Sequence, residues 1–351
     1  MRILPPRIPR LRGLDVEVAF RAAVAVVVPL LILMAIGRLD WGAYAAFGAF
    51  TALYGRSEPY RQRVVSMTVA AVGLVLCIAA GSLLAAAAAP LWGVALVLIA
   101  VTTVGTLVAA AIDLLPRGPL FFVFALLVCA GLPTPVSELG QRMLVAVLSA
   151  AFAWALGMSG WVLRRLTPGR LSRVYRPLGR VTTRRSIVRN RRVWLAVVQN
   201  GTGALAAGGI AVALGIGHPY WAVVSLTAVI PPPHGPNSTV RAIERIVGTA
   251  LGVGAAAVLL VPNPSDGVLV VAIGVCQFVT ELLVGWFYAA ALVFITPLAL
   301  SVSELGRTTA VGPLLGDRLL ETVLGAGIGL ILVVIGRWVV RDGGSGVGAS
   351  A

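Results

Sequence analysis

Lysine is absent: all 28 basic residues of this 351-residue chain are arginine. A GC-rich bacterial genome that avoids lysine codons explains this without any physical demand for guanidinium. Charge of either sign is scarce, at 12% of residues, which excludes the surface of an ordinary soluble domain, where Asp, Glu, Lys and Arg reach about 25%. Cys77, Cys129 and Cys276 each sit inside an apolar run with no CxxC spacing and no second ligand nearby. Neither a disulfide framework nor a zinc site is expected, and the thiols read as packing residues. His218 and His234 are solitary and expected to be exposed, so neither makes a metal site. No Walker loop, GxSxG, HExxH or nucleophile beside a base occurs, and neither enzyme activity nor a cofactor is expected.

What is present is hydrocarbon. Apolar residues make up 59% of the chain and the mean hydropathy is +0.96, against roughly 45 to 50% apolar residues in globular proteins. Lipid is therefore the solvent for most of the chain. A formal charge of +15 would point to nucleic acid in a soluble protein. Here, however, 11 arginines crowd between Arg164 and Arg192 beside apolar spans, which fits anchoring at anionic lipid headgroups and no nucleic-acid partner.

A helix needs about 20 apolar residues to cross the hydrocarbon. Eight runs qualify, near 18–37, 64–87, 91–115, 142–163, 193–216, 245–262, 267–285 and 318–340. Four shorter or Pro-bounded runs, near 41–54, 119–133, 219–231 and 286–301, lie at matching places in the two halves. The expected architecture is all-α, with about twelve spanning or partly spanning helices in two parallel six-helix repeats. The first repeat covers 1–163, an Arg-rich linker 164–192, the second repeat 193–341, and a Gly/Ser-rich disordered tail 342–351. An even number of spans per half places both termini and the linker on one side. That side collects most loop arginines, leaving Arg38, Arg142, Arg307 and Arg318 opposite, so it is read as cytoplasmic.

The doubling is visible in the residues. Ile36-Gly37-Arg38-Leu39-Asp40-Trp41 recurs as Ile216-Gly217-His218-Pro219-Tyr220-Trp221, an offset of 180 (216 − 36) that also carries Gly55 onto Gly235 and Arg61 onto Arg241. Leu139-Gly140-Gln141-Arg142-Met143-Leu144 returns as Leu315-Gly316-Asp317-Arg318-Leu319-Leu320, and Asp113 returns as Glu281. Duplicated membrane halves commonly flank a transport path, and short broken elements at matching places mark its binding region.

Arg61 and Arg241, both just before the third helix of a half, are placed to gather anions. Glu281 and Asp113 are the expected proton-coupling groups, because a carboxyl in a span costs about 2.5 to 3.5 kcal/mol and is tolerated mainly where it faces a cavity or partner. Asp113 also stands within reach of Arg117. Glu321 and Arg318, three residues apart on one helix face, are expected to form a local ion pair. Trp41, Trp221 and Tyr220 sit where an aromatic belt would anchor to the interface, with stacking against an aromatic substrate as the other reading. Asn200, Thr202, Gln277 and Thr280 are explained by helix-to-helix hydrogen bonds as well as by a pathway.

His218-Pro219-Tyr220-Trp221-Ala222 followed by Arg241-Ala-Ile-Glu-Arg245-Ile-Val-Gly248-Thr249-Ala-Leu-Gly252 resembles the signature of the FUSC superfamily, the fusaric acid resistance and aromatic acid exporter proteins. Thr280-Glu281 through Tyr288 to Leu300, and Asp317-Arg318 through Gly325, strengthen the resemblance, which is sharpest over 193–340. It implies a short form lacking the large cytoplasmic domain of the long exporters, and kinship with plant malate-type anion channels in which two six-helix units enclose one pore. It also implies efflux of aromatic carboxylic acids or related organic anions across the bacterial inner membrane, driven by the proton gradient. The expected anion pathway comprises Arg61, Arg241, Tyr220, Trp221, Trp41, His218 and Thr249. A passive organic-anion channel or uniporter, and a non-transporting structural membrane protein, remain alternatives. A monomer can close its own pathway, and a homodimer is equally compatible with the sequence.

Overall fold

Hydrocarbon offers the backbone no hydrogen-bond partner, so long apolar runs close their amides internally as helices. In the computed structural model, which describes residues 13–56, 58–166, 187, 189–230, 238–305 and 311–342, twelve α-helices follow one another. They are α1 Gly13–Ala35, α2 Gly42–Ala49, α3 Tyr60–Ala86, α4 Leu91–Ala111, α5 Leu120–Gly131, α6 Leu139–Leu166, α7 Arg191–Ala213, α8 Tyr220–Val229, α9 Ser238–Leu260, α10 Asp266–Leu283, α11 Tyr288–Glu304 and α12 Val311–Asp342. Eight of these, some taken with an adjoining turn, are long and apolar enough to cross a membrane, and they coincide with the eight long runs of the sequence. The other four, α2, α5, α8 and α11, fall on the four short runs. The chain is a multi-pass, all-helical membrane protein. Most of the Arg-rich linker, His234 and the tail from residue 343 lie outside the described residues.

Local chemistry sets the boundaries. Pro59, Pro90, Pro119 and Pro219 stand immediately before α3, α4, α5 and α8, where the missing N–H costs no intrahelical bond. The Asn190 side chain accepts from the Arg192 amide at the start of α7, satisfying one of its open donors. Helices α1 and α7 end alike. Gly37 and Gly215 adopt left-handed conformations, with Arg38 N–H bonded to Leu33 O and Ile216 N–H to Ala211 O, a Schellman closure that favours glycine.

The short helices are interior. All eight residues of α2 are buried, and so are the residues of α8 from Trp221 to Val229. At about 1.5 Å per residue, ten residues rise roughly 15 Å, half of a hydrocarbon core of about 30 Å. Such half-crossing elements survive only where protein meets their ends. Here α2 packs against α1 and α6, and α8 against α7 and α12. Helix α3 packs on α5 and α6, and α9 on α11 and α12. Between the first six helices and the last six, the main seams are α1 against α10 and α4 against α7. One hydrophobic core runs from Ala22 of α1 to Leu314 of α12, while Leu76, Leu96, Val258 and Trp338 point apolar side chains outward.

Close approach at these seams depends on glycine. A methyl at Gly325 of α12 would run into the Ala222 carbonyl of α8, and one at Gly48 of α2 into the Ala146 carbonyl of α6. Gly327, two residues along α12 from Gly325, has open space around it. Gly325→Ala is expected to destabilise the purified protein by about 1 to 3 kcal/mol through overpacking. Gly327→Ala should leave it unchanged or raise it by up to about 1 kcal/mol through helix propensity. Thermal unfolding in detergent compares the two.

Candidate functional site

Helices α8 and α12 run parallel, and the first turn of α8 meets α12 about two turns from its start, bringing together two groups that the sequence separates by 97 residues (318 − 221). Trp221 is 1% exposed, and so is Arg318. The Arg318 guanidinium carbon lies 3.8 Å over the Trp221 ring, a cation–π contact that strengthens as water is excluded. Phe124 of α5 packs on the same indole at 4.8 Å between centroids, so a first-half helix walls one side. Arg318 Nε and Nη1 and Trp221 Nε1 are buried with no hydrogen-bond partner. Thr322 uses its hydroxyl to cap the Arg318 carbonyl at 2.8 Å.

On α9 and α11 a second basic group faces the same interior. Arg245 donates to the Tyr288 hydroxyl at 2.9 Å. Arg241 lies 4.4 Å over the Tyr288 ring and donates from Nε to the Ala228 carbonyl at 2.7 Å. Arg245 Nε and Thr249 Oγ1 are buried and unpartnered. Arg318, Arg245 and Tyr288 are close enough to act on one another electrostatically. The result is a buried cluster of basic and aromatic side chains, termed the chamber, among α8, α9, α11 and α12. Buried donors without acceptors are costly, and an anion is the ligand that uses them.

The first half treats its corresponding groups differently. Arg142, the repeat mate of Arg318, donates from Nε and Nη2 to Glu138 at 3.1 and 2.8 Å. It also donates from Nη1 to the Tyr44 hydroxyl at 3.1 Å and the Pro133 carbonyl at 2.9 Å. Glu138 accepts further from Arg38 at 2.7 Å and from the Trp41 indole at 3.3 Å, with Arg38 stacked 3.8 Å over that indole. Glu138 thus gathers Arg142, Arg38 and Trp41 on one carboxylate, while Arg38 Nε, 3.6 Å from Asp40, is buried without a hydrogen bond.

A third cluster joins the halves. Arg56, after α2, pairs with Glu281 in the last turn of α10 at 3.1 Å and with Asp15 at the start of α1 at 3.8 Å. Glu281 is thus a charged contact across the α1–α10 seam.

The expected pathway residues divide accordingly. Trp221, Tyr220, Arg241 and Thr249 lie in or beside the chamber. His218 borders it, its Nδ1 3.1 Å from Asp317 Oδ2, instead of standing exposed. Arg61 is exposed at the start of α3, away from its half-buried mate Arg241. Asp113 sits in the turn after α4, 3.6 Å from Arg117, in an open setting unlike that of Glu281. Neither tryptophan serves as an interfacial anchor: Trp41 is 7% and Trp221 1% exposed, because protein, not headgroups, meets the ends of the short helices. Nor do Arg318 and Glu321 form the expected ion pair. Both Glu321 oxygens are buried without a hydrogen bond to Arg318; Arg318 acts on the carboxyl through space, and the His218 backbone N–H lies beside it. Arg56 was missed by sequence reasoning because its partner is 225 residues away; Glu138 carried a readable signal, since Arg142 follows it by four residues. Arg318 and Arg245 carried one readable signal, a charge inside an apolar span.

Comparison with known proteins falls on the half that holds the chamber. The profile of fusaric acid resistance protein-like proteins matches residues 205–332. The uncharacterized membrane protein YvaC of Bacillus subtilis strain 168 is 30% identical over 140 residues, 40% of this chain and 22% of that protein. This chain therefore covers well under two thirds of that relative's length. No solved structure matches the chain. The matched segment spans the end of α7, all of α8 to α11 and most of α12, so the similarity to fusaric acid resistance protein-like proteins lies in the second half of the chain.

Proposed function

We propose that this protein is a secondary transporter that exports organic anions, aromatic carboxylic acids among them, across the bacterial inner membrane, with its termini in the cytoplasm and with proton coupling. The observation that carries this reading is the chamber itself: Arg318 and Arg245 present buried, unpartnered N–H donors beside Trp221 and Tyr288. A guanidinium fork matches a carboxylate, and an aromatic wall matches the ring attached to it. Its place within the family-matched segment supports the same class of function.

The protein is built, on this proposal, from two parallel six-helix repeats. Support comes from packing that recurs: α2 with α6 and α8 with α12, α3 with α5 and α9 with α11, and α1 with α10 and α4 with α7 as each other's mates. A pathway between the halves is then opened or closed by relative movement of the repeats. Arg56–Glu281 lies on the α1–α10 seam, so a proton on Glu281 removes the charge that holds Arg56 across it. That is the proposed coupling step. The Arg-rich segment 164–192 rests on anionic headgroups.

Reconstitution into liposomes with aromatic and aliphatic acids, under imposed pH and voltage gradients, tests the reading. Flux driven by the pH gradient is expected, reduced at least tenfold in Glu281→Gln with the protein still in the membrane. Unchanged coupling in that variant sinks the role of Glu281. Electrogenic flux indifferent to pH selects a passive channel, and no flux with any acid selects a structural protein. Arg245→Gln should lower anion flux by roughly tenfold or more, as loss of a charged hydrogen bond of about 1.5 to 3 kcal/mol implies.

A further inference from the structure

Glu138 gives the protein an internal example of how this scaffold holds a carboxylate. Its oxygens are gripped by Arg142 Nε and Nη2 and by the Trp41 indole N–H, all on the parallel seam between α2 and α6. The repeat carries Arg142 onto Arg318 and Trp41 onto Trp221, on the parallel seam between α8 and α12. There Arg318 Nε and Trp221 Nε1, the counterparts of two of those donors, are buried and unpartnered, and so is Arg318 Nη1, the counterpart of the Arg142 Nη1 that meets Tyr44 and Pro133. The cause is written in the sequence. Continuing the same registers, Leu314 stands where Glu138 stands, and Val224 where Tyr44 supplies its hydroxyl. Two of the side-chain acceptors that satisfy Arg142, which also donates to the Pro133 carbonyl and Thr134 Oγ1, are replaced by the buried aliphatic side chains Leu314 and Val224.

We infer that the second half keeps the carboxylate clamp of the first half but has lost its built-in carboxylate, so that Arg318 and Trp221 bind the carboxylate of a diffusible ligand. Glu138 is the tethered counterpart of that ligand. The two halves then have different duties: the first is filled and closed, and one carboxylate binds per chain, in the second. Of the four donors on Glu138, Arg142 Nε and the Trp41 indole have unpartnered counterparts in Arg318 Nε and Trp221 Nε1, whereas His218 occupies the position of Arg38 and is held by Asp317. Glu321 does not substitute for the missing carboxylate, because neither of its oxygens is hydrogen-bonded to Arg318 or Trp221. The ligand is therefore a monocarboxylate or a dicarboxylate presenting one end, with its body toward Trp221 and Tyr220, whose rings lie 5.0 Å apart.

This inference rests on the organic-anion reading but is tested by binding instead of flux. The full chain in detergent is titrated calorimetrically with benzoate, malate and the neutral isostere benzamide. One carboxylate should bind per chain, with benzamide at least tenfold weaker. Arg318→Gln should weaken binding more than thirtyfold, and Arg318→Lys, which keeps the charge and loses the fork, by roughly tenfold. Trp221→Phe keeps the ring and loses the N–H; about fivefold or more is expected. Leu314→Glu restores a tethered carboxylate, so it should abolish benzoate binding while preserving or raising the melting temperature. Trp92→Phe, on the outer face of α4, is the control with unaltered affinity. If Arg318→Gln does not fold, Trp221→Phe and Leu314→Glu decide. Unaltered affinity in both overturns the clamp and leaves the transport reading intact. Binding that follows the predicted order without liposome flux keeps the clamp and removes transport. No saturable binding of benzoate or malate to the wild type overturns the clamp directly.

Discussion

Removing a guanidinium from water costs several kcal/mol even after the protein relaxes around it. Arg318 meets that cost with an indole face 3.8 Å away and a carboxyl, Glu321, that it does not touch. Such a charge is tolerated at depth only where something else completes it. Around it the helices are arranged so that water is excluded, yet the donors stay open. The half-length of α8 ends the helix inside protein, Gly325 lets α12 approach it closely, and Phe124 from the other half seals one wall.

The same constraint gives the doubled architecture a physical meaning. Two copies of one unit solve one problem, an arginine near the start of the sixth helix, in opposite ways. Arg142 is closed by Glu138, Tyr44 and Pro133. Arg318 is left open where leucine and valine replace two of the side-chain acceptors, Glu138 and Tyr44. The seam between halves carries its own charge lock, Arg56 with Glu281 and Asp15. On the proposed function, binding sits inside the second half and coupling between the halves. Tight ligand binding and movement of the halves need not compete for the same groups.

Much of this was legible in the sequence, and the remainder was hidden for identifiable reasons. Helix number and the short interior elements followed from run length, because hydrocarbon permits little else. Boundaries followed from Pro59, Pro90, Pro119, Pro219 and Gly37. The repeat itself named Arg318 as the mate of Arg142. Asp113 does stand beside Arg117 as its spacing suggests, but the surroundings of Trp221, Glu321 and Glu281 did not follow. Trp221 resembles an interfacial anchor until Phe124 and Arg318 are known to cover it. Glu321 resembles a partner for Arg318 because three residues on a helix allow the contact, yet the contact is not made. Glu281 gave no hint of Arg56, since a pairing across 225 residues leaves no periodic trace. Local spacing informs helices; which charge lacks a partner emerges only from packing.

The measurement that bears most directly on the central claim is an experimental structure of the full chain with 3-bromobenzoate bound. The account predicts a single ligand per chain between α8 and α12, its carboxylate on Arg318 and the Trp221 indole N–H, and Glu138 still held by Arg142 and Trp41. Ligand found at Arg61, at the Arg56–Glu281 seam or only on the outer apolar faces, with Arg318 paired to Glu321, would contradict it.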